Sequence, residues 1–268
     1  MADTARYAVF GQPIAHSLSP RIHAMFGAAL GIPVDYRAIE ASSVEFPGVL
    51  DAFARDAGRG ANVTLPLKQD AAALCSSLSE RARRCGSVNT LIRDGDGWRG
   101  DSTDGAGFIT DLRERHAFDP RGKTCLLIGA GGAAHAVAFA LADAGVERLA
   151  IANRTNERAE ALAAAISGAV VVPWNDLANS VAFDLVVNAT AAGHSQTRFD
   201  LPASLVAPRT LAYDLSYGAA AASFLAWAAS VQAIDGLGML VEQAAESFAI
   251  WHGRRPDTQP VYAALRRG

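Results

Sequence analysis

The chain has few of the residues that mark disulfide-rich, metal-binding or nucleic-acid-binding proteins. Its 268 residues include three cysteines, Cys75, Cys85 and Cys125, an odd number without the C-x-x-C spacing of a redox or zinc motif. Lysine and arginine total 24 against 27 acidic residues, so the net charge of −3 provides no basic field for nucleic acid or a membrane surface. We therefore expect reduced core thiols, no metal site and no nucleic-acid partner.

The sequence also lacks the marks of a secretion signal and of a membrane span. Residues 1–6 contain no basic region followed by an apolar run, so we expect a cytoplasmic protein. Residues 215–234 are uncharged and have the length of a span, but they include serine, glycine and glutamine and are otherwise rich in alanine. This segment predicts a buried or half-buried helix and no membrane association.

Strands and helices alternate along the chain, which predicts an α/β fold with parallel strand pairs. Ser19, just before Pro20, is expected to cap the first helix. In the first part, strands are predicted at 6–11, 34–39, 60–64 and 88–93, a turn at 94–97, and helices at 19–31, 44–57 and 68–78. In the second part, strands are predicted at 124–128, 148–152, 170–173, 184–188 and 210–214, and helices at 107–115, 132–145, 157–166 and 239–252. The chain is expected to divide near Asp104.

A glycine-rich loop follows the apolar strand at 124–128. Gly129, Gly131 and Ala134 match the pattern G-x-G-x-x-A, in which the first glycine allows a tight turn and the second lets the backbone approach a pyrophosphate. The amides at the start of the following helix then hold the phosphates. The segment Gly129–Ala133, with Ala130 and Gly132 between, is therefore the candidate cofactor loop, although glycine-rich turns also occur for structural reasons alone.

The end of the next strand predicts which dinucleotide is bound. NAD sites usually place Asp or Glu there to bind the ribose 2′-hydroxyl. This chain instead has Asn153, Arg154 and Thr155, with Arg158 one helical turn further on. A guanidinium can stack on adenine and pair with a 2′-phosphate. The pattern favours NADP over the alternative of two surface arginines at a solvated helix start.

No Ser-His-Asp order, H-E-x-x-H pair or P-loop is present, but polar residues follow strand ends in the first half. They are Ser17, Ser19, Asn62, Thr64, Lys68, Asn89 and Asp104. The surrounding motifs are VFGQPIAHSLSP (9–20), GANVTLPLK (60–68), GSVNT (86–90), GDSTDG (100–105), NRT (153–155), NAT (188–190), YDLSY (213–217) and DGLGML (235–240). With these motifs in order over nearly its whole length, the chain resembles the shikimate dehydrogenase family.

The resemblance implies a fold and a reaction. The expected fold is α/β with two domains: a substrate domain with a mostly parallel sheet (1–104, completed by 239–268) and a Rossmann-type NADP-binding domain (105–238). The active site is expected in the cleft between them. The implied reaction is the reversible, NADPH-dependent reduction of 3-dehydroshikimate to shikimate in aromatic amino-acid biosynthesis. A small-molecule substrate and a monomer or homodimer are implied.

The resemblance also assigns roles to residues. Lys68 and Asp104 match the catalytic pair, which needs a proton donor at the developing alkoxide and a partner to orient it; which of them moves the proton is left open. The substrate positions matched are Ser17, Ser19, Thr64, Lys68, Asn89, Asp104, Tyr217 and Gln243, with Asn62 in support. The further cofactor positions matched are Leu215, Gly236 and Met239, with Glu80 at the cofactor edge.

Two departures from the family pattern leave other substrates open. Ala134-His135 stands where the family often has Ser-Arg, and Ala191-Ala192 replaces polar residues after the NAT motif. The alternatives are a quinate or quinate/shikimate dehydrogenase, a paralogue acting on a related ring acid, and a non-catalytic NADP-binding sensor. Arg154 after an asparagine and Ser19 in the carboxylate loop argue against quinate activity, while Lys68 and Asp104 argue against a sensor.

Overall fold

A computed structural model of the chain describes residues 5–190 and 199–267; the Ala191-Ala192 departure lies outside them. The chain forms two compact units, which are described separately below. The first unit comprises Met1–Gly107 with Val241–Gly268, and the second comprises Phe108–Leu240. Each unit is built on a sheet of its own, so the predicted α/β class is confirmed.

The first unit contains a six-stranded sheet in the order β2-β1-β3-β5-β6-β4. The strands are β1 (Arg6–Gly11), β2 (Asp35–Glu40), β3 (Gly58–Val63), β4 (Ser77–Leu78), β5 (Thr90–Asp94) and β6 (Gly97–Asp101). β1 lies parallel to β2 and β3, and β4 parallel to β6, while β5 is antiparallel to both of its neighbours. The hairpin between β5 and β6 thus adds antiparallel pairs to a mostly parallel sheet.

Helices pack on this sheet and complete the first unit's core. They are α1 (Ser19–Leu30), α2 (Phe46–Arg55), α3 (Lys68–Leu74), α4 (Glu80–Cys85), the start of α5 (Asp104–Glu114), most of α9 (Leu237–His252) and α10 (Gln259–Arg266). Phe10 contacts both Phe46 and Phe53, and Phe53 stacks on Trp98. This aromatic packing fixes the face of the sheet on which α2 lies.

The second unit contains an all-parallel sheet in the order β12-β11-β10-β7-β8-β9. The strands are β7 (Thr124–Ile128), β8 (Arg148–Ala152), β9 (Val170–Val171), β10 (Leu185–Asn188), β11 (Leu211–Asp214) and β12 (Gln232–Ile234), with helices α6 (Gly132–Asp143), α7 (Asn156–Ala164) and α8 (Ala222–Trp227). Cys125 and Leu127 pack in one buried layer and Leu126 and Ile128 in the other. A central strand covered on both faces explains the unbroken apolar run of β7.

Several local predictions were wrong. Ser19 is the first residue of α1 and Leu18 occupies the N-cap position, so Ser19 does not cap the helix. Residues 215–234 form a 3-10 turn (Gly218–Ala221), the short α8 and the edge strand β12 in place of one long helix, because Gly218 adopts a positive φ of 62° and the segment end pairs with β11. Residues 68–78 form α3 and then strand β4. Within the described ranges, no helix combines the length and apolar character that a membrane span requires.

Candidate active site

Sheet topology brings the polar strand ends of the first unit to one edge. β1 and β3 are parallel neighbours, so the loops that follow them, which carry Ser17 and Thr64, leave from the same edge. Asn62 in β3 pairs with Thr90 at the start of β5, and Thr90 pairs with Asp101 at the end of β6. The antiparallel hairpin therefore places the residues before β5 and after β6 at the edge where β3 ends.

Lys68 and Asp104 form an ion pair at this edge. Lys68 is the first residue of α3 and Asp104 the first residue of α5. The Nζ atom of Lys68 donates to Oδ2 of Asp104, and the two side chains are only 14% and 5% exposed. A pair so poorly solvated interacts more strongly than a surface pair, because little water screens it. The structure thus brings together the two predicted catalytic residues.

Asn89 holds the other side of the Asp104 carboxylate. The backbone amide of Thr103 donates to Oδ1 of Asn89 at 2.7 Å, which fixes the orientation of the side-chain amide. Its Nδ2 then lies 2.9 Å from Oδ1 of Asp104, 3.0 Å from Oε1 of Gln243 and 2.8 Å from Oγ1 of Thr103. Asn89 therefore links Asp104 to Gln243 on α9, and three predicted residues form one network.

A second layer of buried polar side chains lies beneath Asn89. Oδ1 of Asn62 accepts the hydroxyl proton of Tyr36 at 2.8 Å, and its Nδ2 donates to the Asn89 carbonyl and to Oγ of Ser247, each at 3.0 Å. Thr103, Ser247 and Tyr36 were not predicted as site residues from the sequence. Ser247 had a usable signal, since it lies one helical turn after Gln243 and so shares its helix face. This layer holds Asn62 as a brace beneath Asn89.

The remaining predicted substrate residues of the first unit lie in loops at the same edge. The Oγ atom of Ser17 accepts from the amide of Ser19 at 3.3 Å, and Ser19 is buried against the Tyr36 hydroxyl. The amide of Thr64 donates to the Phe10 carbonyl at 2.8 Å, which ties its loop to β1. Tyr217, the remaining predicted substrate residue, belongs to the second unit.

The glycine loop of the second unit fits a dinucleotide pyrophosphate. Gly129 has a φ of 119°, and a Cβ there would lie 2.8 Å from the Ala189 carbonyl oxygen, so only glycine suits this turn. Gly131 is the N-cap of α6, and a Cβ built on it meets nothing within 4 Å. Open space at Gly131 adjoins the first helical amides of Gly132 and Ala133, which have no partners inside the helix. Ala134 is fully buried, as close packing of helix and strand requires.

The end of β8 presents positive charge and no carboxylate. The Asn153 side chain donates to the Thr155 carbonyl at 2.8 Å and shapes the turn into α7. Arg154 and Arg158 are exposed. Across residues 5–190 and 199–267, neither arginine forms an ion pair with an acidic side chain. The two guanidinium groups are thus accessible to an external anion such as a ribose 2′-phosphate.

The other predicted cofactor residues of the second unit lie around the start of α9. The amide of Gly236 donates to the Ser216 carbonyl at 2.8 Å, and a Cβ on Gly236 would collide with the Leu215 carbonyl. Met239 is buried in the same hydrophobic cluster that Leu215 packs against. Leu215, Gly236 and Met239 are therefore neighbours. Glu80, at the start of α4, is exposed in the first unit, so the structure does not group it with them.

A carboxyl group with a raised pKa lies at the carboxyl edge of the second unit's sheet. Burial raises the pKa of Asp214 from its ordinary 3.8 to about 6, although the Ser216 amide and the Asn188 side chain oppose the shift. The Asn188 Nδ2 donates to Asp214 at 3.0 Å, and the Ser216 amide at 2.8 Å. Asp214 thus fastens the end of β10 to the loop after β11.

Three family models match consecutive parts of the chain. They are described as shikimate dehydrogenase substrate binding domain (residues 9–91), shikimate / quinate 5-dehydrogenase (111–216) and shikimate 5′-dehydrogenase C-terminal domain (236–266). The NADP(+) shikimate dehydrogenase of Xanthomonas campestris pv. campestris strain 8004 is 58% identical over 98% of this chain and 95% of that protein. The chain belongs to the shikimate dehydrogenase family.

Other members of the shikimate dehydrogenase family agree in sequence and structure. The NADP(+) shikimate dehydrogenase of Stenotrophomonas maltophilia strain K279a is 55% identical over 99% of this chain and 97% of that protein. A crystal structure of the Thermus thermophilus shikimate 5-dehydrogenase, in complex with NADP(H) and shikimate, superimposes with a TM-score of 0.85 at 36% identity, covering 98% of this chain and 99% of that one. The family resemblance drawn from the motifs is therefore confirmed.

Proposed function

We propose that this chain catalyses the reversible reduction of 3-dehydroshikimate to shikimate with NADPH, a step of aromatic amino-acid biosynthesis. The observation that carries the proposal is the buried Lys68–Asp104 pair, held by Asn89 beside Gln243. The NADP(+) specificity named for the Xanthomonas and Stenotrophomonas relatives supports the choice of cofactor. The accessible guanidinium of Arg154 at the end of β8 supports it independently.

In this proposal the first unit supplies the proton and binds the ring acid. Bound NADPH supplies a hydride to the ring ketone carbon. The Lys68 ammonium donates a proton to the oxygen, because it carries hydrogens whereas the ionised Asp104 carboxylate only accepts. Lys68 is then neutral and regains a proton from solvent. Asp104 orients Lys68 and accepts a hydrogen bond from a substrate hydroxyl. The reverse reaction retraces these steps.

The hydroxyl and amide groups at the same edge suit the rest of a polyhydroxylated ring acid. We assign the substrate carboxylate to the hydroxyls of Ser17 and Ser19, with Tyr217 of the second unit as a further donor. Thr64, Asn89 and Gln243 are assigned to the ring hydroxyls. Such a site discriminates well against analogues, since each missing or extra hydroxyl leaves a buried polar group unpaired.

The second unit is proposed to bind NADP. The pyrophosphate is assigned to Gly129–Ala133, where a side chain on Gly131 would fill the open space. The adenosine 2′-phosphate is assigned to Arg154 and Arg158, with Asn153 and Thr155 shaping the turn. Leu215, Gly236 and Met239 are assigned to the nicotinamide end.

We also propose that the protein works in the cytoplasm as a monomer or homodimer on a small-molecule substrate alone. Burial raises the pKa of the Cys125 thiol to about 12, so this cysteine stays protonated and unreactive at neutral pH. A buried, protonated thiol suits a reducing compartment.

The test is NADP⁺ reduction with shikimate, followed by NADPH absorbance and repeated with quinate and with NAD⁺. Turnover confined to shikimate with NADP⁺ is the expected result. Comparable turnover with quinate or with NAD⁺ would move the chain to the quinate/shikimate alternative, and no turnover with any pair would refute the proposal. Lys68→Met is the control. If the chain is an enzyme, this variant should lose turnover and keep its NADPH affinity. A cofactor-binding sensor would bind NADPH but show no turnover even in the wild type.

A further inference from the structure

The second unit buries a carboxylate that the proposed reaction does not use. Asp111 on α5 is fully buried. The Tyr213 hydroxyl donates to its Oδ2 at 2.6 Å, Arg115 Nη1 lies 3.2 Å from its Oδ1, and His116 Nε2 lies 3.4 Å from its Oδ2. Burying a charge is costly unless it is paired and hydrogen-bonded, so a side chain held in this way has a structural or functional reason to be there.

The same carboxylate presses on the first turn of α9. A Cβ added to Gly238 would collide with the whole carboxylate group of Asp111, so glycine at this position lets the carboxylate reach the helix backbone. A negative charge is favourable there, because the amides at a helix start carry partial positive charge. The backbone of Met239 also hydrogen-bonds the Tyr213 side chain. Asp111 and Tyr213 therefore hold residues on either side of the Gly238–Met239 peptide.

Tyr213 is built to donate to this carboxylate. Its ring is fully buried, and burial, reinforced by the neighbouring Asp111 charge, raises its pKa well above the ordinary 10. The phenol therefore keeps its proton at any working pH and contributes a permanent hydrogen bond. The ring packs edge-on against Phe108, 5.0 Å between centroids, which leaves the hydroxyl little freedom to point elsewhere.

We propose that Asp111, acting with the Tyr213 hydroxyl, is a positioning residue for the nicotinamide end of the cofactor. The pair fixes the first turn of α9 and so sets where Gly236 and Met239 stand. This inference rests on the proposed function, which assigns those two residues to the nicotinamide. The residues proposed for the adenosine end lie at the end of β8, and among the described residues Asp111 forms its hydrogen bond and ion pairs elsewhere, with Tyr213, Arg115 and His116.

The test compares two ligands on the full-length protein. NADPH carries the nicotinamide, whereas adenosine 2′,5′-bisphosphate presents only the 2′-phosphate end. In Tyr213→Phe, the NADPH dissociation constant measured by titration calorimetry is expected to rise several-fold, because binding must then order the loosened turn; about tenfold, the full worth of one hydrogen bond to a charged group, is the upper limit. The constant for adenosine 2′,5′-bisphosphate is expected to stay within about twofold. Asp111→Asn, which keeps the side-chain shape, is the second variant and should show the same asymmetry.

Thr210→Val is the matched control. Thr210 lies just before β11, at the opposite end of the strand that Tyr213 belongs to, and its buried hydroxyl donates to the Phe183 carbonyl at 2.6 Å. This variant should lose stability but leave both dissociation constants unchanged. Equal weakening of both ligands in Tyr213→Phe and Asp111→Asn, or weakening of neither, would overturn the inference. Wild-type turnover reports on the proposed function separately, because the binding comparison needs no substrate.

Discussion

His23 makes the stability of the first unit depend on pH, and the dependence can be worked out from its surroundings. The ring is fully buried on α1 and stacks on Tyr36, with centroids 4.3 Å apart and planes 6° from parallel. Among the described residues neither ring nitrogen has a hydrogen-bond partner. Burial lowers the pKa of His23 from 6.5 to about 3 and outweighs the opposing effect of nearby Asn62, whose own side chain is hydrogen-bonded to Tyr36 and Ser247.

The sign and size of the effect follow from linkage. Below pH 6.5 the unfolded chain binds a proton at His23 that the native state refuses until about pH 3. Stability is therefore full above the unfolded pKa and falls as the pH falls, with a slope that approaches 1.36 kcal/mol per pH unit. The loss reaches about 2 kcal/mol by about pH 5. Partly buried His252, whose pKa burial also lowers, adds to the loss in the same direction.

Asp214 acts in the opposite direction. Its native pKa of about 6 exceeds its ordinary value of 3.8, so between those values the native state binds the proton first and gains stability as the pH falls. The wild-type curve alone thus mixes two opposed contributions from different units. The difference between wild type and a His23 variant removes the Asp214 contribution, because both proteins contain it.

The assay is urea unfolding of wild type and His23→Phe at several values between about pH 7.5 and pH 5. Phenylalanine keeps the stack on Tyr36 and gives up no hydrogen bond. The variant is expected to gain about 2 kcal/mol on wild type over this range. His16→Gln, which changes an exposed histidine of the same unit, is the control and should run parallel to wild type. A constant difference between wild type and His23→Phe across the range would refute the reasoning.

Three further predictions concern the site. Lys68→Met should lower kcat by about 10²–10⁴-fold, the usual contribution of acid–base catalysis, and leave the NADPH dissociation constant unchanged; a variant with near-normal kcat would exclude Lys68 as the proton donor. Gly131→Val should fold with normal stability, because open space surrounds a Cβ there, but should lose NADP binding. Gly129→Ala should instead be destabilised, because its φ of 119° suits only glycine. Unfolding curves and binding calorimetry distinguish the two variants, and normal NADP affinity in Gly131→Val would contradict the loop assignment. Arg154→Gln should weaken NADP⁺ binding about 10–100-fold and leave NAD⁺ binding unchanged; equal effects on both would remove Arg154 from the 2′-phosphate site.

The parts of the fold that sequence predicted well are those whose pattern is decided locally. The bounds of β7 and β8 matched residue for residue, because unbroken apolar runs mark strands covered on both faces. Strand β6 was missed although the turn before it was recognised. Its sequence, GWRGD, has one apolar side chain, and it becomes a strand through pairing with β5 and β4. Such pairing is a tertiary property that a window of sequence does not contain.

The residues of the candidate site likewise fall into those that sequence motifs predicted and those that only the tertiary structure shows. Lys68 and Asp104 were identified through motifs, and the structure pairs them. The orientation of the Asn89 amide was not predictable, because it depends on the Thr103 backbone and on Gln243, which lies 154 residues further along the chain. Ser247 and Tyr36 act through contacts with Asn62, and neither belongs to a motif. Sequence motifs thus identify Lys68 and Asp104 better than the residues that hold Asn89 and Asn62 in place.

The Ala134-His135 departure leaves the fold of the glycine loop intact but changes which residues are left to select the cofactor. Ala134 is fully buried, so a serine in its place would gain no contact with solvent or ligand, and alanine keeps the close packing that the third position of the loop requires. The missing arginine at 135 removes a cation from the first turn of α6. The cations that the proposed function assigns to the 2′-phosphate are then Arg154 and Arg158, both exposed. On that assignment we expect selectivity for the 2′-phosphate to come mainly from Arg154, so its replacement should separate NADP⁺ from NAD⁺ more sharply here than in a relative that keeps both arginines.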